Sequence, residues 1–238
     1  MPNEKTDRVA FLTGVGPGLG ASLARRFARG GYALGLVARH SGFLDELTLE
    51  ISGAGGRAIA VLADAGEPEE AKSAVARVRR ELGKINLLLH NASSSNRGGL
   101  FGTTPEQFAS AWRVTSLGAF VCAQETAPDM IAAGEGAMLF TGATSSVRGG
   151  GWLAFSSAKF APRGLVQSLA RELWPQGVHV AHVLVDGVIG EREGPVSPND
   201  PKLDPDQMAE AYWQLAHQDP AAWTLELDLR PKDEKFFE

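Results

Sequence analysis

The sequence predicts an α/β protein with a doubly wound parallel sheet of seven strands, arranged as a single domain over residues 1–238. Short apolar runs alternate with helical patterns along the chain, which is typical of repeated strand–helix–strand units. The runs are short and bounded, as expected of parallel strands that are buried on both faces. A glycine-rich turn joins the first run to the first helix. At 238 residues the chain is long enough to enclose a sizeable core.

The predicted elements follow one another in strand–helix order. Strands are predicted over 9–12, 33–37, 58–62, 85–90, 138–141, 178–185 and 224–229. Helices are predicted over 19–29, 43–52, 68–82, 105–133, 154–173 and 205–217. Pro162 lies inside the fifth helix, and since an interior proline costs about 3 kcal/mol it predicts a bend or a frayed start. The Pro- and charge-rich stretch over about 187–204, with the helix after it, predicts a lid or substrate segment over about 187–217.

Composition excludes several classes of protein. A net charge of −5 gives no general attraction to nucleic acid or to anionic membranes. No uncharged run approaches the roughly 20 residues that a membrane-spanning helix needs, and the polar start of the chain does not resemble a secretory signal. The single cysteine, Cys122, excludes an internal disulfide and a multi-thiolate metal site, and its apolar neighbours favour helix packing. A cytoplasmic protein with no metal site is therefore predicted.

The turn over residues 13–20 has the sequence TGVGPGLG and lies between the first strand and the first helix. Glycines at such a turn let the backbone approach a ligand closely and relieve crowding where helix meets strand. The N-terminus of the helix then offers unpaired N–H groups and a positive dipole to a diphosphate. The turn and its placement predict a dinucleotide site.

Four features in register resemble the short-chain dehydrogenase/reductase family over almost the whole chain. They are the glycine turn, Asp64 after the third strand, Asn91-Ala92 after the fourth, and Phe155-Ser156-Ser157-Ala158-Lys159 opening the long helix after the fifth. The family has T-G-x-x-x-G-x-G at the turn, N-A-G after strand four and Y-x-x-x-K on the helix.

The resemblance implies a Rossmann-like fold and a bound nicotinamide cofactor. It places Asp64 near the adenine, Asn91 and Ala92 near a cofactor ribose, and Lys159 on the hydroxyls of the nicotinamide ribose. The remaining residues that it assigns to the cofactor are Gly14, Gly16, Gly18, Leu19, Gly20, Gly187 and Val188. Two alternatives stay open, since Asp64 could be a solvated turn carboxylate and Asn91 could satisfy a strand-end carbonyl.

The end of the second strand, Val37-Ala38-Arg39-His40, bears on the choice between NADP and NAD. An acidic residue there would bind both hydroxyls of the adenosine ribose and repel a 2′-phosphate. None is present, and Arg39 can offer a charged, planar fork to that phosphate. NADP is therefore predicted, with NAD as a possible cofactor; the alternative is that Arg39 is an ordinary surface residue.

The chemical half of the family pattern is altered. Phe155 stands where the family has its acid–base tyrosine, and Gly142, thirteen residues earlier, stands where it has a substrate-orienting serine. Thr115 replaces the asparagine of the family's proton relay. The predicted catalytic set is Lys159, Phe155, Thr115 and Ser145. Ser145 is one of four nearby hydroxyl residues that could replace the family's serine; the others are Thr141, Thr144 and Ser146.

Two further departures follow strand six. Asp186-Gly187 replaces the family's P-G, and Glu191 lies where a threonine often contacts the carboxamide. Other side chains could in principle move a proton. The positions of Tyr32 and His90 in the sequence favour a packing role for both. Tyr212 favours packing as well, with substrate contact as the alternative.

The sequence thus favours an atypical NADP-dependent short-chain oxidoreductase that transfers a hydride between the cofactor and a small carbonyl or alcohol substrate. General acid–base catalysis typically raises the reaction rate by about 100- to 10,000-fold, so the absence of the family's tyrosine at Phe155 need not abolish turnover. The alternative is a cofactor-binding protein without turnover, acting as a sensor or partner subunit. The resemblance also implies a homodimer or homotetramer built on the helices predicted over 105–133 and 154–173.

Overall fold

The computed structural model describes residues 8–94, 98–190 and 202–234. Its strands and helices, in chain order, are β1 Val9–Thr13, α1 Leu19–Arg29, β2 Ala33–Ala38, α2 Ser41–Gly53, β3 Arg57–Leu62, α3 Pro68–Leu82, β4 Ile85–His90, α4 Pro105–Trp112, α5 Gly118–Ala133, β5 Gly136–Thr141, α6 Leu153–Leu173, β6 Val178–Val185, β7 Val188–Ile189, β8 Lys202–Leu203, α7 Pro205–Ala216 and β9 Glu226–Leu229. The described part of the chain contains no helix that is long and apolar enough to span a bilayer.

Seven strands form one sheet in the order β3-β2-β1-β4-β5-β6-β9, and every pairing in it is parallel. The chain winds outward from β1 to one edge and then from β4 to the other. Ligands of such sheets bind at the carboxyl ends of the strands where the order reverses, which here is between β1 and β4. The predicted doubly wound, seven-stranded parallel sheet is confirmed.

Each face of the sheet carries its own core. On one face the strands pack against α1, α2 and α7, with Phe27 and Tyr212 among the largest fully buried side chains. On the other face they pack against α3, α5 and α6. Cys122 on α5 is fully buried there, and burial raises the pKa of its thiol to about 12, so the predicted packing role is confirmed.

Three elements differ from the sequence-based expectation. The helix expected over 105–133 is divided by a π-helical turn at Arg113–Leu117, which accommodates an extra residue between α4 and α5. The last strand begins at Glu226, two residues later than predicted. The segment after β6 contains β7 and β8, which pair with each other in a small parallel sheet. Residues 191–201 of the predicted lid, including Glu191, lie outside the described residues.

Pro162 does not end α6, which begins at Leu153 and continues to Leu173. The expected frayed start is therefore wrong. A proline has no N–H for the carbonyl four residues before it, here that of Ala158. The Ser116 hydroxyl, in the π turn, donates to this carbonyl at 2.9 Å. A side chain from a neighbouring element thus supplies the hydrogen bond that the helix lacks.

Candidate functional site

Two cavities meet at the carboxyl ends of β1 and β4 and share the glycine turn. The first, of about 670 Å³, is lined by Arg39 and Asp64, and the second, of about 560 Å³, by Lys159 and Phe155. Residues that line both are Gly14, Gly16, Pro17, Ser93 and Ser94. Together they form one trough across the edge of the sheet, with the glycine turn at its centre.

The glycine turn is held against the end of β4. Gly14 has φ +71°, and a Cβ there would lie 2.5 Å from the Ala92 nitrogen and 2.7 Å from the Asn91 carbonyl carbon. The Asn91 side-chain amide donates to the Gly14 carbonyl at 2.9 Å. Asn91 therefore satisfies a carbonyl, as one alternative expected, although that carbonyl belongs to the turn.

The other glycines leave room for a ligand. A Cβ on Gly16 would meet nothing within 4 Å, whereas one on Gly20 would lie 2.6 Å from the Gly14 carbonyl oxygen. Gly20 thus lets α1 pack on the turn, and Gly16 keeps the space beside it open. Gly18 caps α1 without a side-chain hydrogen bond. Open space beside a helix N-terminus suits a diphosphate, so these residues fit the dinucleotide that the resemblance implies.

One end of the trough lies at the carboxyl ends of β2 and β3. Arg39 is exposed at its rim, and no acidic side chain ends β2. Asp64 is half-buried, and its Oδ1 accepts the Gly66 N–H at 2.8 Å. Arg39 is thus exposed to solvent and lines this end of the cavity.

Lys159 lies at the other end of the trough and is 3% exposed. Its Nζ donates to the Thr141 carbonyl at 2.8 Å. Burial lowers the pKa of Lys159 to about 8, because a desolvated ammonium loses its proton more readily. The side chain is thus a cation that can titrate just above neutrality.

Phe155 stands beside Lys159, with the ammonium 5.8 Å from its ring centroid. The ring also packs edge-on against Trp152 at 5.7 Å between centroids. An aromatic surface therefore occupies the place next to the lysine, but it has no exchangeable proton. Trp152 and Ile189 line this cavity too, and no sequence pattern marked either of them.

A family model for short chain dehydrogenases matches residues 8–195. The chain belongs to the short-chain dehydrogenase family. A short-chain dehydrogenase/reductase of Armillaria gallica is 30% identical over 177 residues, covering 73% of this chain and 68% of its own. The oxidoreductase UcpA of Escherichia coli strain K12 is 29% identical over 177 residues, covering 74% of this chain and 67% of its own.

Solved structures of family members have the same fold. A short-chain dehydrogenase from Rhodopseudomonas palustris superposes with a TM-score of 0.82 at 35% identity, covering 94% of this chain and 98% of its own. A metagenomic short-chain oxidoreductase in complex with NADP gives 0.84 at 25% identity, covering 97% and 100%.

An imidazole from another strand packs against Gly142, the position at which the resemblance places the family's serine. A Cβ on Gly142 would overlap the imidazole of His182, on β6, and would lie 3.0 Å from the Ser146 Oγ. Gly142 itself lines the Lys159 cavity.

Two of the predicted catalytic residues lie away from this lining. Thr115 is buried in the π turn, where its hydroxyl accepts the Ser94 N–H at 3.4 Å. The Ser145 hydroxyl accepts a hydrogen bond from Ser156 at 3.2 Å. Gly187 and Val188, which the resemblance assigns to the cofactor, line the Lys159 cavity.

The remaining proton-carrying candidates are packed in the interior. Tyr212 is fully buried, and its hydroxyl shares a 2.8 Å hydrogen bond with the Thr141 hydroxyl. Burial raises its phenol pKa, so it does not replace the family's tyrosine. His90 is buried beside Thr13, and burial lowers its pKa to about 3. Tyr32 is buried against His217. The preference for packing roles is confirmed.

Asp186, at the family's proline position, connects three segments around the cavity. Its buried carboxylate accepts hydrogen bonds from the Thr144 hydroxyl and from the Arg230 guanidinium. The next residue, Gly187, has φ +137°, and a Cβ there would lie 3.0 Å from Pro231 Cδ. The C-terminal segment thus supports the turn that borders the Lys159 cavity.

Proposed function

We propose that the chain is an atypical NADP-dependent oxidoreductase that transfers a hydride between the cofactor and a small carbonyl or alcohol substrate. The observation that carries the proposal is the continuous trough, in which the glycine turn lies between Arg39 at one end and Lys159 at the other. The order of these three features matches that expected for a dinucleotide with its diphosphate at the N-terminus of α1.

The residues of the chain then have separate binding roles. The open backbone at Gly16 and the uncapped start of α1 hold the diphosphate. Lys159 binds the hydroxyls of the nicotinamide ribose, exchanging its bond to the Thr141 carbonyl for them. The bound nicotinamide supplies the site that gives or takes the hydride.

The substrate is proposed to be small and largely apolar. Around Lys159 the cavity is bordered by Trp152, Phe155, Val188 and Ile189. Among the described residues that line it, Lys159 carries the sole ionisable side chain. Such a lining favours an activated ketone, aldehyde or enone over a sugar phosphate or a polyanion, whose charges would need several cationic partners.

The preference for NADP rests on Arg39 and on the absence of an acidic side chain at the end of β2. The related metagenomic oxidoreductase, solved with NADP, supports a nicotinamide cofactor. The test is a fluorescence titration with NADPH and with NADH of the wild type and Arg39→Ala, with Arg171→Ala on α6 as a surface-arginine control. We expect Arg39→Ala alone to lose the preference for NADPH. Equal affinities for both nucleotides in all three proteins would contradict the assignment.

Phe155 favours a second candidate, a cofactor-binding sensor or partner subunit without turnover, because it removes the family's acid. A panel of carbonyl and enone substrates with NADPH, run on the wild type and Phe155→Tyr, separates the two. Turnover by the wild type supports the oxidoreductase. Tight NADPH binding without turnover over the whole panel supports the sensor.

We further propose that residues 1–238 act as one cytoplasmic domain that assembles into a homodimer or homotetramer. Large apolar side chains are partly exposed along the helices expected to form the interface: Trp112, Leu117, Phe120 and Phe160, at 39%, 39%, 43% and 44%. Sedimentation equilibrium of the wild type against Phe120→Glu tests this. A monomeric wild type at micromolar concentration would refute it.

A further inference from the structure

A second cavity adjoins the Lys159 cavity at the start of α6. It has a volume of about 410 Å³ and is lined by the glycine backbone over 149–151 and by the side chains of Leu100, Leu153 and Ser156. Trp152 lines it as well, and among the described residues it is the only one that lines both cavities. Trp152 therefore stands between the two.

The second cavity has the character of a site for an apolar group. The described part of its lining contains no ionisable side chain. The Ser156 hydroxyl, which also lines it, already donates to the Ser145 hydroxyl at 3.2 Å. Leu100 is 69% exposed and Leu153 is 38% exposed, and neighbouring exposed apolar side chains often mark a binding surface. The cavity thus offers its contacts to an alkyl chain rather than to a charged or strongly polar group.

The Trp152 side chain is positioned next to the group that replaces the family's tyrosine. Its ring packs edge-on against Phe155, with 5.7 Å between the centroids, and the Phe155 ring lies 5.8 Å from the Nζ of Lys159. The next residue, Leu153, donates its N–H to the Gly98 carbonyl at 3.0 Å, which holds the start of α6 on the segment after β4. A substrate beside Lys159 therefore meets the indole with any substituent that extends toward the start of α6.

We infer that Trp152 is a specificity-determining residue, which limits the length of the apolar substituent on the carbonyl or alcohol carbon of the substrate. The inference rests on the oxidoreductase function proposed above and narrows its substrates to those whose substituent ends at the indole. The second cavity is the space that a longer substituent would enter if the indole were removed.

The burial of methylene groups gives the size of the expected effect. Each methylene that leaves water for an apolar cavity raises affinity by about fourfold. In the wild type this gain should stop where the alkyl chain reaches Trp152, because further methylenes remain in solvent. In Trp152→Ala the further methylenes enter the second cavity, and the gain with chain length continues.

The experiment measures the binding of methyl propyl, methyl hexyl and methyl nonyl ketone by saturation-transfer NMR. The protein is first saturated with NADP⁺, from which a ketone can take no hydride, and kcat/KM with NADPH is the second readout. Trp112→Ala is the matched control, because Trp112 is 39% exposed, as against 38% for Trp152, and lines neither cavity. A Cβ on Gly150 would meet nothing within 4 Å, so Gly150→Leu, added to Trp152→Ala, has room to refill the second cavity.

We expect the wild type and Trp112→Ala to bind methyl nonyl and methyl hexyl ketone equally, within about twofold. Trp152→Ala should bind methyl nonyl ketone at least about tenfold more tightly than methyl hexyl ketone, and Gly150→Leu should remove that gain. Trp152→Leu, which keeps a larger apolar side chain at the start of α6, should show a smaller gain in the same direction.

Three results would overturn the inference while leaving the cofactor proposal intact. They are a wild type whose affinity keeps rising with chain length, a Trp152→Ala profile equal to that of the wild type, and a gain in Trp152→Ala that survives Gly150→Leu. NADP⁺-saturated proteins that bind none of the ketones would overturn it as well. A wild type that does not bind NADP⁺ would overturn both proposals.

Discussion

Replacing Gly14 by alanine should destabilise the fold far more than the same replacement two residues later. At φ +71° an L-residue is strained by about 1–2 kcal/mol. The new methyl would also lie 2.5 Å from the Ala92 nitrogen, and because this neighbour is backbone the overlap adds about 1–3 kcal/mol. We therefore expect Gly14→Ala to lower the free energy of unfolding by about 2–5 kcal/mol.

Gly16→Ala is the matched control. Its methyl meets nothing within 4 Å and its φ is not in the left-handed region, so stability should change by no more than about 0.5 kcal/mol. The methyl would instead occupy the open space proposed for the diphosphate and weaken NADPH binding. Urea unfolding followed by tryptophan fluorescence measures the first effect, and NADPH titration measures the second. Equal stability of the two variants would refute the reasoning.

Three further predictions concern buried contacts. Acidification from pH 7 to about pH 4 should lower the free energy of unfolding by roughly 3 kcal/mol through His90, because the histidine of the unfolded chain binds a proton below pH 6.5 whereas the folded one stays neutral until about pH 3. His90→Gln should flatten this decline in stability. An unchanged pH dependence of unfolding in that variant would contradict the prediction. Gly142→Ser should lower the free energy of unfolding by about 1–3 kcal/mol, because the new side chain would overlap His182. In a double-mutant cycle, the same substitution in a His182→Ala background should lose much less stability. Additive effects of the two substitutions would disprove the overlap. Ser116→Ala should lower the free energy of unfolding by about 1–2 kcal/mol, because the Ala158 carbonyl that Pro162 leaves unbonded loses its hydrogen-bond donor. The loss should be smaller in a Pro162→Ala background. Urea unfolding of the wild type, the two single variants and the double variant measures both effects.

Much of the fold was predictable because its signals are local. Seven short apolar runs marked the seven strands, and the glycine turn marked the point where the sheet order reverses. The bounds differ by at most two residues, except where α4 and α5 are separated by the π turn. Nothing in Arg113–Leu117 signals that turn, since it contains neither glycine nor proline and its helical propensity is ordinary.

The lining of the site was predictable where a residue follows a strand end or belongs to the motif that opens α6, as Phe155 and Lys159 do. Arg39, Asp64 and the glycine turn lie in the trough for that reason. The relation between His182 and Gly142 was not predictable, because 40 positions of chain separate them and contact depends on the pairing of β5 with β6. Likewise, the hydrogen bond that withdraws Tyr212 from the cavity is made to a strand 71 positions away.

The contact between Asp186 and Arg230 has a practical consequence for anyone who makes the protein. A truncation after Leu229 would delete the guanidinium and leave a carboxylate unneutralised in the interior, next to the turn that borders Lys159. Losses of activity in shortened or carboxyl-terminally tagged versions would then reflect a displaced turn rather than a missing catalytic group. Val9, where β1 begins, lies at the opposite end of that strand from the glycine turn, so an amino-terminal purification tag is the better choice.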